Sequence, residues 1–208
     1  MNTQYGRSMV EMLGVLAIVG VLSVGAIAGY SKAMMKYKMN KFSLSINELL
    51  NTCIQYSGKL NSASNSTNGY GAQYFAKILY KMHALPDGIK YVNDQFLEDM
   101  FGNSIWPYSY PDLYGLGYNF GYSGNNELSS EICRQLIITA KENSSQLSYI
   151  SADIAPSGEN YIPIGQYSGD AYCSKNIKCI KNMTISDIDT MCHTCQQNNG
   201  CLFYFVWK

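Results

Sequence analysis

The sequence predicts an α+β fold. A long N-terminal helix, half membrane segment and half amphipathic, packs on an antiparallel β-sheet head whose C-terminal region is stapled by disulfides. Three observations carry this expectation. Met9 to Tyr30 is apolar apart from one carboxylate, Glu11. Residues 31–57 contain neither glycine nor proline and repeat apolar side chains at helical spacing. The remaining chain alternates short, tyrosine-rich, β-prone runs with turn residues and holds six of the seven cysteines.

The 22 residues from Met9 to Tyr30 form a helix that, at about 1.5 Å per residue, crosses roughly 30 Å of hydrocarbon. A cleaved secretory signal has a basic start, a shorter apolar core and a small-residue cleavage site behind it. Here the core is long and nothing like A-x-A ends it cleanly, so the stretch is expected to span and ordinary secretion is the weaker reading. Arg7 stands before it and Lys32, Lys36, Lys38 and Lys41 behind it, so the positive-inside tendency alone favours a cytoplasmic head. The cysteines argue the other way, because structural disulfides do not persist in a reducing cytoplasm. Gly14, Gly20, Gly25 and Gly29 punctuate the segment. Gly25 and Gly29 form a small-xxx-small face on which another helix can approach closely, although glycine is also common in membrane helices generally.

Met35, Met39, Phe42, Ile46, Leu49 and Cys53 recur at spacings of four and three, one apolar stripe on a helix expected from Ser8 to Ser57. Cys53 reads as a small buried hydrophobe on that stripe. Residues 58–69 read as a polar loop. Tyr74, Ile78, Leu79 and Met82 mark a short helix closed by Leu85-Pro86-Asp87-Gly88. Residues 104–124, dense in aromatics with glycine and proline breaks, suit two strands joined by a loop; their aromatics are either ordinary strand formers or a contact surface for subunits or sugar. A helix from Ser129 to about Asn143 carries Ile132, Cys133, Leu136, Ile137 and Ala140 on one face. Strands are expected at 147–154 and 161–167, a short helix at 186–194, and a last strand from Leu202 to Trp207.

Fifteen basic and fifteen acidic residues cancel, and charged residues are 14% of the chain, so no broad field points to nucleic acid or an acidic substrate. Cys192-His193-Thr194-Cys195 leaves three chemistries open: structural disulfides, a redox C-x-x-C, or a zinc site completed by Cys201. The redox reading is weakened because the pair follows a helical run where a low-pKa thiolate needs a helix N-terminus. His83 and His193 have no acid or nucleophile partner in sequence and read as surface or helix-end residues. No paired carboxylates, phosphate-cradling glycine loop or nucleophile elbow occurs, so neither catalysis nor a cofactor is expected. The Asn65, Asn143 and Asn182 sequons read as chance matches.

Gly6 followed by Arg-Ser-Met-Val-Glu and an apolar run resembles the processing site of type IV prepilins and type II secretion pseudopilins. The resemblance implies a leader at 1–6, cut off by a prepilin peptidase between Gly6 and Arg7, and methylation of the new amino terminus. A membrane and filament-core helix then occupies 7–30, its amphipathic continuation 31–57 and a globular head 58–208. Glu11 becomes the fifth mature residue, meeting the Arg7 ammonium of a neighbouring subunit, while Gly20, Gly25 and Gly29 serve helix packing. Gly20 also falls where pilin helices stretch on assembly. The helix-kinking proline common in pilins is absent, which implies a straighter helix.

"SSEICRQLI", followed about sixty residues later by "NMTISDIDTMCHTCQQNNGCLFYFVWK", is similar to the type IVb pilins, the group that includes the toxin-coregulated pilin. This similarity implies a Cys133 to Cys192 bond. Cys195 to Cys201 and Cys173 to Cys179 then form local loops, with Cys173 to Cys195 or Cys201 as the open alternative, and Cys53 stays free. The implied function is a structural subunit held in the bacterial inner membrane with its head in the periplasm, then polymerised into a surface filament. The alternative is a minor pilin or pseudopilin that initiates or tips such a filament. Implied partners are other pilin subunits through the N-terminal helix, the peptidase, the assembly machinery and, before assembly, lipid.

Overall fold

A computed structural model describes residues 9–60, 71–121, 126–154, 161–197 and 201–208. The chain divides into two compact units, Met1–Asn40 and Lys41–Lys208. A single helix, α1 (Met9–Leu60), contributes to both. It runs three residues past the expected end at Ser57, taking in the first part of the stretch read as a loop; the rest of that loop, 61–69, lies outside the described residues.

Within the second unit the helix turns Phe42, Ile46, Leu49, Leu50 and Cys53 into the core, each 0–1% exposed. Met39 is buried too, but Met35 is 44% exposed and does not belong to the stripe. The 3.6-residue period continues through it without regard to where burial begins. Ser45, itself buried, places its hydroxyl between the carbonyls of Lys41 at 2.8 Å and Asp87 at 2.6 Å.

The head follows as β1 (Gln73–Tyr74), α2 (Ala76–Lys81), β2 (Lys90–Tyr91), β3 (Leu97–Glu98), β4 (Ser104–Tyr110), β5 (Leu113–Phe120), α3 (Asn126–Glu142), β6 (Tyr149–Ile154), β7 (Ile162–Ser168), α4 (Ile185–Gln197) and β8 (Cys201–Trp207). Tyr74, expected on a helix, is in β1, opposite Tyr108 of β4. Met82 caps α2 and is exposed. Beyond Met82, His83 takes φ 53° and the amides of His83 and Ala84 return to the carbonyls of Tyr80 and Leu79, a Schellman end built on histidine instead of glycine. The 88th position does need glycine, for Gly88 has φ +90° and an added β-carbon would lie 2.9 Å from the Met100 methyl and 3.3 Å from the Ser45 hydroxyl.

The strands form one eight-stranded sheet in the order β2-β3-β4-β5-β8-β6-β7, with β1 beside β4 at the end of that strand which β3 leaves unpaired. Every pairing between named strands is antiparallel. The last strand is the central one: β8 lies between β5 and β6 and is buried along most of its length. One face of the sheet, carrying Ile105, Leu116, Tyr118, Phe203, Phe205 and Ile150, is fully buried. Phe42 of α1 packs edge-on to Tyr118 at 6.0 Å, and Asn47 of α1 accepts a 2.8 Å hydrogen bond from Asn143 just after α3. Both helices therefore contribute to the core. The expected apolar face of α3, Ile132, Cys133, Leu136, Ile137 and Ala140, is buried throughout.

Leu49→Ala is expected to cost about 2–5 kcal/mol of head stability by leaving a cavity, whereas Leu44→Ala on the same helix, at a side chain 71% exposed, should change stability by less than about 0.5 kcal/mol. Denaturant unfolding of the full chain in detergent, followed by near-ultraviolet circular dichroism, compares the two.

Candidate functional site

Two features carry chemistry, one in each unit. In the first, Met9–Lys59 contains a stretch long and apolar enough to cross a membrane, and that window is wholly unburied. Side chains such as Met9 (84%), Val21 (75%) and Ile27 (69%) have no protein cover, a large apolar surface that water does not tolerate. The backbone within the helix satisfies itself by helical hydrogen bonding, and the Ser23 hydroxyl donates to the Val19 carbonyl at 2.7 Å, as lipid demands of such groups. Gly20, Gly25 and Gly29 each face open space, with no atom within 4 Å of where a β-carbon would stand. Glu11 lies in the first turn of α1 and is exposed. Gly6 and Arg7 lie outside the described residues.

In the second unit, three disulfides form the pattern that the pilin resemblance implies. Cys133–Cys192 joins α3 to α4 across 59 residues with Cα atoms 5.5 Å apart. Cys195–Cys201 joins the end of α4 to the first residue of β8, at 5.3 Å. Cys173–Cys179 closes the loop after β7, at 5.6 Å. Cys192 and Cys195 therefore have different partners, and their C-x-x-C is not a redox pair. Among the described residues no group of three or more histidine, cysteine or acidic side chains could hold a metal ion. The fixed position of α4 has further causes. Its start is a capping box, in which Thr184 and Asp187 exchange backbone and side-chain hydrogen bonds of 2.6–3.1 Å, and these bonds hold the Asp187 carboxyl below its usual pKa. Arg134 of α3 pairs with Asp189 at 2.7 Å, and Lys141 donates to the Met183 carbonyl at 2.8 Å. Cys53 is the free cysteine; it is fully buried and burial pushes its thiol pKa well up, which keeps it protonated and unreactive.

Beneath α1 lies a buried polar knot that no local pattern of residues announces. Asp99, 1% exposed, accepts from the backbone amides of Phe101 and Asn103, from the Asn103 side-chain amide at 2.9 Å and from the Tyr118 hydroxyl. Four donors satisfy the carboxylate, so its burial is tolerable. Burial first, and the facing Asp99 charge second, raise the Tyr118 hydroxyl well above its ordinary pKa. The knot closes the turn between β3 and β4, with Phe101 from that turn packing on Phe42 at 5.7 Å. The Asp99-to-Asn103 run with Gly102 inside it signals a turn; that the turn is buried depends on α1.

No family model matches the chain. No curated protein or solved structure matches it either. His83 ends α2, and His193 is exposed on α4.

Non-reducing peptide mapping of the protein made in an oxidising compartment is expected to recover Cys133–Cys192, Cys173–Cys179 and Cys195–Cys201, with Cys53 refractory to alkylation until unfolding. The long bond restricts the unfolded chain by about 4 kcal/mol on the chain-entropy account. Cys133→Ser and Cys192→Ser should therefore each destabilise the head, and the double mutant should be no worse than either, since both remove one bond.

Proposed function

We propose that this chain is a prepilin-like structural subunit, cleaved after Gly6, anchored by its apolar helix and polymerised through that helix into a surface filament. The observation that carries the reading is the placing of Glu11: the only charge in an otherwise apolar, uncovered helical stretch, with Gly6 five residues before it. A carboxylate in hydrocarbon costs on the order of 2.5–3.5 kcal/mol even on insertion scales, so a membrane anchor with no further task gains nothing by keeping it. In a filament core the same charge meets the N-terminal ammonium of a neighbouring subunit, and the pairing selects one register out of the many that an apolar helix permits. Lipid covers the stretch before assembly and neighbouring helices afterwards, which accounts for apolar side chains that the protein itself leaves bare. Leu44, exposed on the part of α1 within the head unit, extends the contact surface beyond the membrane segment. The disulfides favour a head outside the cytoplasm, and the role is one of assembly, with no catalysis by this chain.

Intact mass and N-terminal sequencing of membrane-extracted protein, produced together with a prepilin peptidase, should show a chain that starts at Arg7. Gly6→Ala should slow the cut, because the peptidase must approach the backbone closely there. An unprocessed Met1 start under these conditions removes the processing claim.

Glu11→Val should insert into the membrane as well as the unchanged protein or better, while filaments recovered by shearing fall to a small fraction. Normal filament yield from that variant would show that the carboxylate is not an assembly determinant.

A further inference from the structure

The face of the sheet turned away from α1 and α3 carries a layer of its own. The register sets its side chains in rows across the strands. One row runs from Trp106 on β4 through Gly117 on β5, Tyr204 on β8 and Ser151 on β6 to Gln166 on β7. The adjacent row is Tyr74, Tyr108, Gly115, Val206 and Tyr149. The glycines give these rows their shape. A β-carbon on Gly117 would fall inside van der Waals contact of the Trp106 indole, and one on Gly115 inside that of the Tyr108 ring. Both rings therefore lie across the neighbouring strand instead of standing up from their own. Phe96, Trp106 and Tyr204 follow one another edge to face, at 6.2 and 6.0 Å. Trp106, Tyr204 and Tyr149 remain part-exposed, and Gln166 is exposed at the far end.

We propose that this row is a binding platform for a neutral oligosaccharide. At about 4.8 Å per strand, the five strands from Trp106 to Gln166 span roughly 19 Å, the length of a short oligosaccharide laid flat. Aromatic faces at one end offer the apolar contact that the C–H face of a pyranose needs, and the hydroxyl of Ser151 and amide of Gln166 at the other offer hydrogen-bond partners to its rim. Tyr74, Tyr108 and Tyr149 share the adjacent row, Tyr108 buried and the other two part-exposed, so phenol side chains flank the first row. Charge selects the class of ligand. Neither row contains a lysine or arginine; at the margin Lys208 lines a depression with Tyr149 and Val206, and the Asp153 carboxylate acts on Tyr204 and Tyr149. One charge of each sign at the margin leaves the platform without the concentrated positive charge that a polyanion needs. The inference does not rest on the filament reading, since a monomeric chain carries the same platform.

The full chain in a zwitterionic detergent without sugar headgroups permits the test. Its two tryptophans differ in access, Trp207 being 1% exposed and Trp106 part-exposed, so bound saccharide is read as a change in Trp106 fluorescence. The probes are the neutral hexaoses of cellulose, chitin, starch and xylan, with a heparin hexasaccharide as the anionic comparison. At least one neutral probe should bind saturably at millimolar concentration or below. Trp106→Ala and Gln166→Ala should each weaken it, the former roughly tenfold or more, while Ile185→Ser, at a side chain 87% exposed elsewhere on the head, leaves it unchanged. Near-ultraviolet circular dichroism checks that the variants fold, and isothermal calorimetry replaces fluorescence for Trp106→Ala. If that variant does not fold, Gln166→Ala decides. Failure of every neutral probe overturns the proposal, as does tighter binding of the heparin fragment. Unchanged affinity in the folded Trp106→Ala protein overturns it too, or in Gln166→Ala where that variant decides. Loss of self-association in place of sugar binding would assign the face to a protein partner and likewise overturn it.

Discussion

Burial of one helix face organises the head. Phe42, Ile46, Leu49, Leu50 and Cys53 lose essentially all contact with water, and at roughly 1.5–3 kcal/mol for each large apolar side chain this is a major part of the driving force for folding. Other features take their positions from it. Phe42 touches both Tyr118 of β5 and Phe101 of the β3–β4 turn, so the helix covers the Asp99 knot and excludes the water that would otherwise solvate it. Ser45 reaches the Asp87 carbonyl and Lys41 pairs with the Asp87 carboxylate at 2.6 Å, which fixes the chain reversal at Gly88. Asn47 ties the helix to the end of α3.

The sheet completes this arrangement from the opposite end of the sequence. Because β8 is central, with β5 on one side and β6 on the other, the sheet has no continuous core until the last residues are in place. Contacts so distant in sequence carry a loop-closure cost. The disulfides act at that point: one binds the first residue of β8 to α4 and another binds α4 to α3. The covalent path α3–α4–β8 limits how far the final strand can stray from its slot. Two-residue strands such as β2 and β3, too short to be stable alone, persist as an extension of the edge of β4.

The two parts of α1 meet opposite demands with one backbone geometry. Residues 9–30 are apolar around the whole circumference, which suits a surrounding of lipid or of other helices. Residues 41–57 are apolar on one side and polar on the other, which suits a helix laid on a core. Glu11 is the exception to the first pattern, and its cost in hydrocarbon is what the proposed pairing with a neighbouring subunit would offset. On the head the corresponding exception is the Trp106 ring laid flat over Gly117, part-exposed where the Tyr108 ring over Gly115 is buried.

Features that depend on local repetition are legible in single segments of the chain. The unbroken helix followed from the absence of glycine and proline over 31–57, its buried face from the spacing Met39, Phe42, Ile46, Leu49, Cys53, and the buried face of α3 from the same period. The β4–β5 hairpin and β8 followed from aromatic and β-branched runs bounded by turn residues. The disulfide partners were different, since seven cysteines leave many pairings open and resemblance to a pilin pattern singled out one. Where each pattern stops depends on what packs against it in the folded chain. Met35 continues the helical period yet remains exposed, because periodicity states which side faces inward and not whether anything lies opposite. Tyr74 entered a strand because β4 offered it an unpaired edge, and β2 and β3 exist for the same reason. Asp99 lies in a turn whose burial depends on α1. The aromatic row arises from residues about a hundred positions apart, brought level by the register of β4, β5 and β8. Periods of 3.6 and 2 are properties of a short segment and are written in it; register, cover and edge pairing belong to two segments at once, and neither contains them.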